Sequence, residues 1–205
     1  MNILIGELHI YSYDRVRWPI LREVLLQKGF DLGWVHRVMG LVTGGQTAIT
    51  INGEVGNFFR NGQGVCQGDP LSPILFDYVV EALATILDKA RRTGHIRGVV
   101  SPLIPGGGVS HLQYADDMII MIEPVNQIAN LKFILLCFES IAGLKINFHK
   151  SEVMFLGTTI AEQQRIANML NCKQGKFPFT YLGLPIGAKA LTARDWNPPT
   201  TKVGR

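Results

Sequence analysis

The sequence predicts an α+β layer fold, and three observations carry that prediction. Helical and strand periodicities are mixed along the chain with no internal repeat. The strand candidates come in an order and with turn signals that suit antiparallel pairing. A hydrophobic content of 47% and a mean hydropathy of +0.17 suffice for a sizeable core in 205 residues. No low-complexity linker appears, so residues 1–205 are read as one unit.

From Arg15 to Lys28, the residues Val16, Ile20, Leu21, Val24 and Leu25 recur at helical spacing, and Gly29 supplies a stop. Asp31 then reads as the cap of a second helix through Leu41. Between Gln46 and Phe59 the pattern alternates on both sides of Asn52-Gly53, which signals a hairpin. After the polar, glycine-rich stretch Arg60 to Asp69, the segment Ser72 to Arg92 puts Leu75, Tyr78, Val79, Leu83 and Leu87 on one face of a long helix ending near Gly94. Ser72 is its expected cap and Pro73 an early helical position. A Gly- and Pro-rich loop, Ser101 to Gly108, leads into Val109 to Ile122, where β-branched and aromatic residues flank Asp116-Asp117. This predicts two strands joined by an acidic turn. Another helix is expected from about Val125 to Ala142, then a strand near Val153 to Leu156, a short helix from Ala161 to Leu170 and a last strand near Phe179 to Leu182.

Several function classes are disfavoured. The most apolar run, Phe133 to Phe138, is far shorter than the roughly 20 residues a membrane span needs and is read as a core helix. The N-terminus lacks the basic start, apolar run and cleavage site of a secretory signal, which implies an intracellular protein. Three widely spaced cysteines, Cys66, Cys137 and Cys172, suit neither a disulfide framework nor paired zinc ligands. Residues 171–205 carry six basic side chains against Asp195 alone, a net of +5 in a chain of +4. Such an end can meet nucleic-acid phosphate, although a solvated basic tail has the same composition.

The chemistry centres on Asp116 and Asp117. Unpaired charges so close to apolar strands are costly, and a divalent metal would offset that cost, because oxygen ligands suit Mg²⁺ and leave positions for substrate phosphates. Adjacent strand residues face opposite ways, so both carboxylates reach one cluster only from the bend between strands. Taken alone, an acidic pair at a hairpin is more often a solvated turn. Its company is the run Gly64-Val65-Cys66-Gln67-Gly68-Asp69-Pro70-Leu71-Ser72-Pro73, a flexible loop at a helix start that can bring backbone and the Gln67 amide close to a nucleotide. On its own that run is an ordinary loop before a helix.

Together, GVCQGDPLSP followed by the Tyr114-Ala115-Asp116-Asp117 box resembles motifs B and C of reverse transcriptases, in the version carried by the non-LTR retrotransposons of plants, the long interspersed elements. Gly143-Leu144-Lys145-Ile146-Asn147 with Lys150-Ser151 is similar to motif D, and Tyr181-Leu182-Gly183-Leu184-Pro185 to the primer-grip region. The resemblance, spanning about Tyr13 to Trp196 with its palm motifs over about 13–187, implies a polymerase palm, an antiparallel sheet packed on helices, with partial fingers and without a thumb. It implies that Asp116 and Asp117 are metal ligands and catalytic, and that Lys150 protonates the pyrophosphate leaving group, against the plainer reading of a solvated lysine after a turn. Tyr13, Gln67, Gly68, Asp69 and Pro70 would contact nucleotide and template, and Tyr181, Leu182 and Gly183 the primer end. Implied partners are an RNA template, a DNA primer and deoxynucleoside triphosphates, with no membrane; the implied cofactor is Mg²⁺, with Mn²⁺ as alternative. The chemistry would be two-metal phosphoryl transfer.

The sequence departs from the family at motif A. Ser12-Tyr13-Asp14 matches the end of that motif, with Tyr13 where the family screens the sugar 2′ position, so the metal-binding aspartate falls on Leu8. Glu7 is one residue out of register, which on a strand turns its side chain to the other face. Asp14 is up to ~20 Å away along an extended chain. The expectation is therefore a truncated reverse transcriptase domain that is inactive as it stands. The alternatives are a non-catalytic nucleic-acid-binding remnant or a maturase-type reverse transcriptase. Target-primed copying occurs on chromosomal DNA, so the resemblance implies a nuclear location.

Overall fold

Nine residues that carry no helical pattern, Ile3–Tyr11, form the first and central strand, β1, of the computed structural model, which describes residues 3–11, 13–99, 108–123 and 127–190. A one-turn 3-10 helix (Tyr13–Arg15) leads to α1 (Trp18–Gln27) and α2 (Leu32–Thr43). A ribbon follows, made of β2 (Gln46–Thr47), β3 (Thr50–Ile51), β4 (Glu54–Val55) and β5 (Phe59–Arg60). Then come α3 (Ser72–Arg92), β6 (His111–Tyr114), β7 (Asp117–Ile122), α4 (Ile128–Ala142), β8 (Lys145–Ile146) and β9 (Glu152–Leu156). The described chain closes with α5 (Ile160–Leu170), β10 (Lys173–Gln174), β11 (Phe179–Tyr181) and β12 (Leu184–Ile186).

The main sheet has the order β10-β9-β1-β7-β6, with β8 also paired to β1. β1 is antiparallel to β7, β8 and β9, and only β10 runs parallel to its neighbour. In this register Leu8 lies opposite Met118. The core is one cluster in which Leu8, Ile10, Met118 and Ile120 of the sheet join Phe76, Val80 and Leu83 of α3 and Leu131, Leu135 and Phe138 of α4. This is the expected layered α+β architecture.

Element ends follow local chemistry. Pro19 lacks an N–H and belongs in a first turn, so α1 begins at Trp18 and not at Arg15, whose neighbourhood is 3-10 and extended. Asp31 caps α2 as expected, its carboxylate accepting from the Trp34 N–H at 3.0 Å. Replacing it with Ala is expected to cost about 1 kcal/mol, read as a lowered urea midpoint at unchanged slope. Ser72 is not the cap of α3: its side chain is buried, Leu71 holds the cap position, and Asp69 fixes the turn by accepting from the Leu71 N–H at 2.7 Å.

The hairpin at Asn52-Gly53 is present, both residues having positive φ (53° and 87°). The last expected strand is half of a further hairpin, β11–β12, turning at Leu182-Gly183 (φ 50° and 80°). The Phe133 to Phe138 run is not core on all sides: helical spacing buries Leu135 and Phe138 and leaves Phe133 68% exposed. No described helix is long and apolar enough to cross a membrane. Residues 101–107 of the loop expected from Ser101 to Gly108, the helix start near Val125 and most of the basic end, residues 191–205, lie outside the described residues.

Candidate active site

The acidic turn is as tight as the sequence suggests. Ala115 and Asp116 alone connect β6 to β7, with Ala115 in the left-handed region at φ 49°, and Asp117 opens β7. Both aspartates are anchored through their carbonyls. Asp116 O accepts from the Ile10 N–H of β1 at 2.9 Å, and Asp117 O accepts from the Tyr181 hydroxyl at 3.3 Å.

The segment after β1 ties three motifs together. Tyr13 O accepts from the Val65 N–H (2.7 Å), Val16 O from the Gly64 N–H (2.8 Å), and the Trp18 indole N–H donates to Gly64 O (2.7 Å). On its other side, the Arg17 N–H donates to Ala142 O (2.9 Å) at the end of α4. These bonds fasten the glycine-rich loop and the end of α4 to the end of β1, and so set the loop beside the acidic turn.

The result is an open cleft of about 600 Å³ lined by Ile10, Tyr13, Asp14, Arg15, Val65, Gln67 and Asp116. Tyr13 in this lining stacks on Phe76 of α3, with ring centroids 4.2 Å apart and planes 10° from parallel. Burial raises the Tyr13 phenol above its usual range, helped by the negative charges of Asp77 and Asp116. Asp77 is itself raised, first by burial and then by Asp116. Asp77 lies outside every motif that the sequence singles out. Its signal was a lone acid in the first turns of an otherwise apolar helix face, next to Phe76.

Of the residues picked from sequence, Tyr13, Gln67 and Asp116 meet in this cleft. Asp117 contributes the first residue of β7. Gly68 (φ 97°) and Pro70 lie on the exposed loop outside the cleft lining, and the Asp69 carboxylate is engaged in the turn before α3. Lys150 sits in an exposed turn after β8, its N–H donating to Asn147 O (3.0 Å), and is not in the lining. Tyr181 is buried, while Leu182 and Gly183 are exposed at the hairpin tip.

Leu8 holds the position at which the resemblance implies a third carboxylate. Leu8 is only 4% exposed and packs in the core. Asp14, in the 3-10 turn after β1, does line the cleft together with Asp116. Among the described residues, however, no three of His, Cys, Asp and Glu are disposed to hold a metal ion. These residues do not fit a two-ion group.

The family profile described as "Reverse transcriptase (RNA-dependent DNA polymerase)" matches residues 11–186. The chain is 31% identical over 139 residues to the Retrovirus-related Pol polyprotein from type-2 retrotransposable element R2DM of Drosophila melanogaster, covering 68% of this chain and 12% of that protein. It is 29% identical over 110 residues to the Pol polyprotein from type-1 retrotransposable element R2 of Popillia japonica, covering 54% of this chain and 17% of that protein. An uncharacterized mitochondrial protein of Arabidopsis thaliana, AtMg01250, is 38% identical over 68 residues, 33% of this chain and 54% of that protein. The chain thus spans a small part of the retrotransposon polyproteins. Among solved structures, telomerase of Candida tropicalis in complex with a fragment of telomeric RNA superimposes over 100% of this chain and 31% of its own, with a TM-score of 0.65 at 13% identity. Telomerase of Candida albicans gives a TM-score of 0.61 over 90% of this chain. At such identities these two show the fold alone.

Proposed function

The chain belongs to the reverse transcriptase (RNA-dependent DNA polymerase) family, and from that premise we propose that it is the palm of a non-LTR retrotransposon enzyme, of the plant long-interspersed-element kind, that holds a primer–template without completing the polymerase site. The observation that carries this reading is the split fate of the acidic positions. Asp116 faces Tyr13 and Gln67 in an open cleft, whereas Leu8 is sealed in the core. In such a palm, Tyr13 on its Phe76 support would bound the sugar side of a nucleotide, and Gln67 would hydrogen-bond it. A divalent ion would supply charge neutralisation of phosphates when bound, and one carboxylate short of the family set, the site does not support nucleotidyl transfer.

The direct test pairs two measurements on the full chain. Fluorescence anisotropy with a labelled DNA primer on an RNA template should show binding that weakens steeply with salt, with a slope near −0.9 per phosphate contacted in duplex. Asp116→Ala should leave that affinity equal or raise it up to about threefold, since it removes a negative charge that faces phosphate. Primer extension with Mg²⁺ should stay at background. Extension that Asp116→Ala abolishes would overturn the incomplete-site part of the reading, and absence of salt-sensitive binding would overturn the nucleic-acid part.

A further inference from the structure

We propose that Tyr181 is a positioning residue for the acidic turn, a latch by which the β11–β12 hairpin holds Asp117 from behind, and not a residue that meets the primer. The proposal draws its significance from the polymerase reading, but its test does not depend on it.

The β11–β12 pair is a two-stranded sheet of its own, separate in its backbone pairing from the main sheet. Tyr181, the last residue of β11, is only 8% exposed although the next three residues are open to solvent. Its hydroxyl spans 64 residues of sequence to donate to Asp117 O. The neighbouring carbonyl, Asp116 O, is held by β1 through the Ile10 N–H. Asp117 is already paired in the main sheet, opposite His9 of β1 and Tyr114 of β6, and the Tyr181 hydroxyl adds to that pairing a tether from the hairpin. A turn of two residues with a left-handed alanine has little freedom between paired strands, and the Tyr181 bond restrains it further at the carbonyl of Asp117. Displacing the tip at Leu182-Gly183, the part of the hairpin a polymer strand could touch, would pull on Tyr181 and through it on Asp117.

The experiment is amide hydrogen exchange and ¹⁵N–¹H spectroscopy on the full chain and on Tyr181→Phe, which keeps the ring and removes only the donor. Leu182→Ala perturbs the same hairpin without touching the bond and serves as control. No metal or nucleic acid is added, so a failed polymerase reading leaves the result intact. Tyr181→Phe should speed exchange at Tyr114 to Met118 by about fivefold, the loss expected for one neutral hydrogen bond. It should also shift the Met118 ¹⁵N resonance, which senses hydrogen bonding at the preceding carbonyl, affect exchange in α3 less than at the turn, and lower the melting temperature by no more than about 2–4 °C, the shift one such bond carries in a chain this size. Unchanged exchange at the turn would overturn the proposal. So would acceleration spread over the whole protein, which would mark Tyr181 as general packing, or an equal effect from Leu182→Ala, which would mark the hairpin's bulk and not the hydroxyl.

Discussion

Leu8→Asp is expected to destabilise the protein by roughly 4 kcal/mol or more and to bring no polymerase activity. Alignment of the motif places the absent carboxylate at this position, so restoring it looks like the natural repair. The fold argues otherwise. Leu8 lines a small apolar gap with Ile120, Leu131, Leu135 and Phe148 and lies opposite Met118, which is fully buried. An aspartate there would lose the packing of a leucine and place an unpaired charge among aliphatic side chains, and each loss alone is worth a few kcal/mol. Urea unfolding followed by circular dichroism would show the lowered midpoint, and primer extension the silence. A well-folded Leu8→Asp chain that extends a primer would mean that position 8 can reach the cleft, and would overturn the reading that the core seals it.

That contrast marks where the sequence was readable. The acidic turn, α3 from Ser72 to Arg92 and the Asn52-Gly53 hairpin follow from periodicity and turn chemistry, which are local, and they stand where expected. β1 announces nothing of its central place. Its first three residues, Ile3 to Ile5, are a continuous apolar run, and its partners at 117–122 and 152–156 are more than a hundred residues away. The face that Leu8 presents is set by that pairing, so no motif alignment could give it. Asp69 shows a second, local role that its place in a motif does not reveal: its carboxylate accepts from the Leu71 N–H two residues on. Asp77 and Phe76 became part of the site only because α3 docks them under Tyr13, a contact between residues 63 positions apart.

Gly64→Ala should be more damaging than the other glycine changes in the cleft loop, with a loss of about 3 kcal/mol or more and no measurable primer–template binding. Two penalties combine at this residue. Its φ of +91° is one that a residue with a Cβ adopts at about 1–2 kcal/mol. The added carbon would also lie 2.5 Å from Asp14 O and 2.7 Å from Asp14 C and Cα, all backbone atoms that no rotamer change can move aside. Relief requires the loop to withdraw, which breaks the bonds from the Gly64 and Val65 N–H groups and the Trp18 indole that fasten it to the end of β1. Gln67 would then leave the side of Asp116. Gly68→Ala separates the two penalties, because Gly68 has a similar φ of +97° with open space around the new carbon. It should lose only the conformational part, about 1–2 kcal/mol, and keep binding within a few fold. Equal losses from the two variants in chemical denaturation would show that the close approach of Gly64 to Asp14 is not what holds the loop. The gap between them measures how much of the cleft depends on one absent methyl group.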